Sequence, residues 1–104
     1  MIDKFEAMLA TGTDTALLRF SLGNAYLAAG DAGRAVLHLE AAVAQEPEYS
    51  AAWKLLGKAL TAADDAVAAA RAYHTGIAVA EANGDKQAVR EMSVFLKRLK
   101  HELQ

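Results

Sequence analysis

Two stretches of this chain repeat each other without a gap, 34 residues apart. Leu22 pairs with Leu56, Gly23 with Gly57, Tyr26 with Leu60, Ala35 with Ala69 and Leu39 with Tyr73. A fixed period of this size means one supersecondary unit used more than once. Each unit buries its apolar face against its neighbour, because it cannot bury that face alone. The unit reads as helical. Alanine, the best helix former, is abundant, there is a single proline in 104 residues, and alternating runs of Val, Ile and Thr are absent, so no sheet is expected. The fold class is therefore all-α, in one domain.

Punctuation divides each unit into two helices, called A and B. In Ala28-Ala29-Gly30-Asp31, Gly30 stops the first A helix and Asp31 caps the first B helix. Asp64 or Asp65 takes the capping role in the second unit. Glu46-Pro47 ends the first B helix, since the residue before proline avoids α geometry. Asn83-Gly84-Asp85 closes the second B helix and caps a final one. Asn-Gly is also a hairpin signal, but its helical flanks argue against that. Gly23 and Gly57 fall in mid-helix, where glycine costs about 1 kcal/mol against alanine. That cost is explained if a Cβ would block a neighbouring helix.

The ends follow from the same register. Counting back 34 residues from Leu39 gives Phe5. The segment near 2–10 thus reads as a B helix without its A helix, with Phe5, Met8 and Leu9 packing on the first A helix. Toward the C-terminus the offset becomes 36: Val89, Met92, Ser93 and Leu96 match Trp53, Leu56, Gly57 and Leu60. The segment 86–103 reads as a third A helix, apolar at Val89, Met92, Phe95, Leu96 and Leu99. Its remaining face is kept in water by Lys97, Arg98, Lys100 and His101.

These residues resemble the tetratricopeptide repeat. Its period is 34 and its pattern runs Trp-x-x-Leu-Gly-x-x-Tyr, then Ala-x-x-x-Phe, then Pro. The second unit carries Trp53, Leu56, Gly57, Ala69 and Tyr73, with Leu60 in the Tyr place. The first carries Leu22, Gly23, Tyr26, Ala35 and Pro47, with Leu39 in the Phe place. The chain departs from the pattern at Arg19, where an aromatic is usual, and at Glu81, where proline is usual. The resemblance implies an antiparallel helix-turn-helix solenoid of about six helices in a right-handed superhelical stack. It divides residues 1–104 into an N-terminal B-type helix (2–12), two repeats (16–49 and 50–83) and a C-terminal capping helix (85–103).

The resemblance also implies a function: a non-catalytic protein–protein interaction module. In this family the A helices line a concave groove and meet the ligand at particular positions. Carried onto this chain, those positions are Phe20, Lys54 and Arg90; Asn24, Lys58 and Val94; and Leu27, Thr61 and Lys97. The implied peptide-binding groove is Phe20, Asn24, Lys54, Lys58, Thr61, Arg90 and Lys97, apolar at one end and basic at the other. It suits a peptide that is acidic or bears a free C-terminal carboxylate. The carboxylate clamp of members that hold chaperone tails is incomplete. Asn24 is kept, but Phe20 and Leu55 replace clamp residues, as do Gln87 and Glu91. The alternative function is structural self-association as a homodimer through an exposed apolar helix face, leaving the chain a monomer or weak homodimer.

Composition removes other classes. The formal charge of −2 lacks the basic surplus of a nucleic-acid binder. The charge is uneven: residues 1–85 hold 6 basic and 11 acidic groups, residues 86–104 hold 5 and 2. Cations near the end of a C-terminal helix suit its dipole, and they also suit a basic binding surface. Without cysteine there are no disulfides, thiol catalysis or cysteine metal sites. His38, His74 and His101 have no partners at metal spacing and read as surface histidines. No nucleophile elbow, phosphate loop or dinucleotide turn is present. The expectation is no enzyme, no cofactor, no metal and no nucleic acid. The N-terminus lacks a signal-peptide pattern, and no apolar run approaches the roughly 18 residues of a membrane span. A soluble, cytoplasmic protein is expected.

Overall fold

The computed structural model describes residues 1–103. All regular structure among them is helical: α1 (Ile2–Ala10), α2 (Ala16–Ala28), α3 (Ala32–Gln45), α4 (Ser50–Ala62), α5 (Ala66–Asn83) and α6 (Lys86–Glu102). Each helix packs on the next, and the A-type helices also touch one another, α2 with α4 and α4 with α6.

Local chemistry sets the boundaries. Thr15, Asp31, Asp65 and Asp85 are the N-caps of α2, α3, α5 and α6. Their side chains accept from the backbone N–H of Leu18, Arg34, Ala68 and Ala88. Asp65, not Asp64, is thus the cap of the second repeat. Asp64 instead takes the left-handed conformation of Gly30, at φ 60 against 83. In three turns the N–H of the capping Asp donates to the carbonyl five residues earlier: Asp31 to Tyr26, Asp65 to Leu60 and Asp85 to Ala80, each 2.9 Å. This is the Schellman closure that needs one left-handed residue.

The core follows the sequence columns. Leu18, Ala52 and Ala88 are buried, as are Leu22, Leu56 and Met92, and Tyr26, Leu60 and Leu96. The spacing is 34 between the first two members of each set and 36 to the third. The B helices contribute Ala35, Leu39 and Ala42, then Ala69 and Tyr73. Burying one such leucine is worth about 1.5–3 kcal/mol. A Cβ on Gly23 would lie 2.4 Å from Cγ of Leu39, and one on Gly57 would lie 2.3 Å from Cε1 of Tyr73. Glycine here lets the A and B backbones approach. Ser93, at the same place in α6, is exposed.

α1 is the least embedded helix: none of its residues is buried. Ile2, Phe5 and Leu9 lean on the core. Met8, which the sequence places with Phe5 and Leu9, is 38% exposed; Ile2 has taken its part.

Candidate functional site

The A-helix residues singled out by the sequence fall into three groups. Phe20 stacks on Tyr49, ring centroids 5.2 Å apart, so it joins α2 to the start of α4. Asn24 is exposed on the same helix. Lys54 meets Glu91 across the α4–α6 seam, Nζ to Oε1 3.3 Å. Lys58 and Thr61 come together at the lower end of that seam. Arg90 and Lys97 lie elsewhere on α6. Arg90 borders a depression with Ala80, Glu81 and Val89, and Lys97 borders one with Val94 and His101.

Lys58 and Thr61 line a recess of about 220 Å³ between α4, α5 and α6. Tyr73, Phe95 and Leu99 supply its apolar surface, and Arg98 and Glu102 complete the lining. Tyr73 is 2% exposed and Leu99 3%, and burial pushes the Tyr73 phenol above its ordinary pKa. Tyr73 and Phe95 sit ring to ring, 5.7 Å between centroids. Lys58 Nζ stands 5.2 Å from the Phe95 centroid and Arg98 Cζ 5.9 Å. The Thr61 hydroxyl donates to the Gly57 carbonyl at 2.8 Å, so its proton is spent within α4.

Phe95 and Arg98 matter here, and the sequence reading gave them only a core and a solvating role. A signal existed. Phe95 occupies the column of Ala25 and Ala59, so an aromatic replaces a methyl on the side of α6 facing α4.

A second polar group joins the N-terminal helices. Arg19 holds Asp14 with two hydrogen bonds, 2.8 and 2.9 Å, and Gln45 donates to the same carboxylate at 2.8 Å. These bonds hold the Asp14 carboxyl down at about pKa 2. Arg19 Nη1 also reaches His38 Nδ1 at 3.2 Å. A guanidinium can only donate, so Nδ1 accepts and the ring proton sits on Nε2. That nitrogen faces Glu6 Oε1 at 3.5 Å, too long for a full hydrogen bond. Glu6 Oε1 is buried without a hydrogen-bond partner among the described residues. Burial pushes the His38 imidazole below its ordinary pKa, with Glu6 opposing and Arg19 reinforcing. His38 also stacks on Tyr26, 5.4 Å between centroids, and its side chain is only 12% exposed. The surface role expected for it is therefore corrected. Arg19 explains its own departure from the repeat pattern: it anchors this row instead of filling the aromatic slot. None of these residues lines the α4–α6 recess. They tie α1, α2 and α3 together.

Among the described residues no group of three His, Asp or Glu side chains could hold a metal ion. No described helix is long and apolar enough to cross a membrane.

Stacked helical hairpins with glycine-mediated contacts and an A-helix face open to solvent define a helical-repeat protein. The tetratricopeptide repeat profile matches residues 16–59, and a TPR repeat-containing protein of Pseudomonas aeruginosa is 58% identical over 99 residues, covering 95% of this chain and 94% of that one. The chain belongs to the tetratricopeptide repeat family. Among solved structures, a Bordetella parapertussis protein determined in solution is 46% identical with a TM-score of 0.84, covering 98% of this chain and 89% of its own. The Sgt2 TPR domain from Aspergillus fumigatus is 29% identical with a TM-score of 0.82, covering 98% and 65%. Domains of this family mediate protein–protein interaction and are generally non-catalytic.

Proposed function

We propose that this protein is a non-catalytic interaction module whose A-helix face holds an extended or helical segment of a partner protein. The observation that carries the reading is the exposure of that face. Asn24 stays in solvent on α2, and Lys58 and Thr61 stay in solvent around an apolar recess, where a self-contained core would close it. Phe20 and Tyr49 form the apolar end of the path, and Lys54 and Lys58 the basic end. Arg90 and Lys97 border other depressions on α6 and add only to the long-range positive field of that helix. Exposed grooves of this kind bind peptides by placing a few side chains in pockets.

The test is mapping. Linear peptides selected on the protein from a random phage-displayed library are titrated into isotopically labelled protein. Resonances of Phe20, Asn24, Lys58, Thr61 and their neighbours should shift. Shifts confined to the outer surfaces of α3 and α5, or a library that yields no binder, would overturn the reading. A soluble, cytoplasmic adaptor belongs to the same reading, tested by fractionating cells that express a tagged chain.

A further inference from the structure

We propose that the recess between α4, α5 and α6 is a specificity pocket for an internal acidic–apolar pair of residues in the partner segment. The bulky apolar side chain enters the recess, and the neighbouring Asp or Glu is held at its mouth by Lys58 and Arg98. This rests on the interaction-module reading and specifies which partner it selects.

Three observations carry it. The first is charge imbalance along one seam. At its upper end Lys54 is neutralised by Glu91 at 3.3 Å. At its lower end Lys58 and Arg98 stand over one phenyl ring, at 5.2 and 5.9 Å from its centroid. Neither makes an ion pair among the described residues. Glu102 lines the recess without bridging either. Two cations sharing the face and rim of one ring repel each other, and a carboxylate between them relieves that repulsion. The 5 basic residues in 86–104 add to the attraction.

The second observation is size. At about 220 Å³ the recess falls below the roughly 300–1,000 Å³ of small-molecule sites. It suits one side chain, not a metabolite. Its floor of Tyr73, Phe95 and Leu99 offers that side chain aromatic and aliphatic contact.

The third is what the lining lacks. Capture of a chain terminus uses clusters of backbone N–H groups, and side-chain amides can supply equivalent donors. The lining contains no Asn or Gln, and the only hydroxyl other than that of Tyr73 belongs to Thr61, already bonded to Gly57. The charged groups a carboxylate meets here are Lys58 and Arg98, with Glu102 opposing, so an internal acidic residue serves as well as a terminus. A chain running along the groove presents the former.

The experiment uses two random peptide libraries panned on the full chain, one fused at its C-terminus and one with free C-termini. The fused library should yield peptides enriched in Asp or Glu beside Leu, Ile, Met or Phe. Lys58→Glu/Arg98→Glu should weaken the selected peptides by about tenfold or more, from two charge contacts each reversed. Added salt should weaken the wild type in the same direction. Both positions are exposed, so the variant should keep the wild-type circular dichroism. Lys58→Gln/Arg98→Gln, with a smaller loss, serves if the reversal perturbs folding. Binders without an acidic residue would overturn the proposal. So would binders that tolerate the charge reversal, or binding only from the free-terminus library. In each case peptides that still map to the A-helix face leave the interaction-module reading standing. No binder from either library sinks both.

Discussion

Gly57→Ala tests the close helix approach on which the repeat depends. A Cβ at this position lies 2.3 Å from Cε1 of Tyr73, 2.5 Å from Cζ and 2.6 Å from Cδ1. Carbon atoms rest at about 3.5–4.0 Å, so the ring or the helix must retreat by about 1 Å. The ring has little room. It is 2% exposed and meets Phe95 at 5.7 Å between centroids. Overpacking of this kind costs about 1–3 kcal/mol. Alanine's better helix propensity returns about 1 kcal/mol. The net expectation is destabilisation by up to about 2 kcal/mol, with Tm falling by about 4–8 °C for each of those. Gly33→Ala is the matched control. It lies in α3 with its nearest neighbour, Asp31 Oδ1, at 3.9 Å, and should gain about 0.5–1 kcal/mol. Urea unfolding followed by far-ultraviolet circular dichroism gives both numbers, with the denaturant slope as a check on the unfolded state. Gly57→Ala gaining as much stability as Gly33→Ala would refute the argument that glycine is there to admit Tyr73.

The second repeat's turn makes opposite predictions at adjacent residues: Asp64→Gly should stabilise by up to about 1 kcal/mol by relieving the left-handed backbone, and Asp65→Ala should cost about 1 kcal/mol by removing the cap of α5. Both are read by the same unfolding assay. Removing the Lys54–Glu91 pair as Lys54→Gln/Glu91→Gln should change stability by less than about 1 kcal/mol, because both side chains are partly exposed. Acidification should destabilise the protein in two stages. His38 and Asp14 both have folded values below their ordinary ones, so the unfolded chain takes up more protons as pH falls. His38's contribution is lost as pH drops from 6.5 through its lowered value, and Asp14's as pH drops from 3.8 to about 2. Urea midpoints measured against pH should show the first stage in wild type and its absence in His38→Gln.

The helices were legible because the same chemistry is written more than once. Leu22 and Leu56, or Gly23 and Gly57, carry little information singly and much at a shared spacing. The capping aspartates needed only local rules, although Asp64 and Asp65 could not be told apart until the backbone showed which one takes positive φ. The tetratricopeptide repeat itself, and its all-α stack, followed from those columns. The site was less legible, because grooves form between repeats where no single column holds the answer. Lys58 could be placed on an A helix, but the ring beneath it comes from α6, 37 positions later. Arg90 followed from the column rule as well, yet it faces the end of α5. His38 was misjudged for the same reason: its neighbours Glu6 and Arg19 come from two other helices.

Ser93 carries a lesson for anyone building with this scaffold. It stands in the column where Gly23 and Gly57 admit the bulk of Leu39 and Tyr73. A further B helix grafted onto α6 at the usual distance would drive its large side chain into the serine Cβ. Modular extension by concatenating repeats would therefore stall at this junction unless Ser93 were first reduced to glycine. One hydroxymethyl group would then govern how closely a grafted helix could pack on α6.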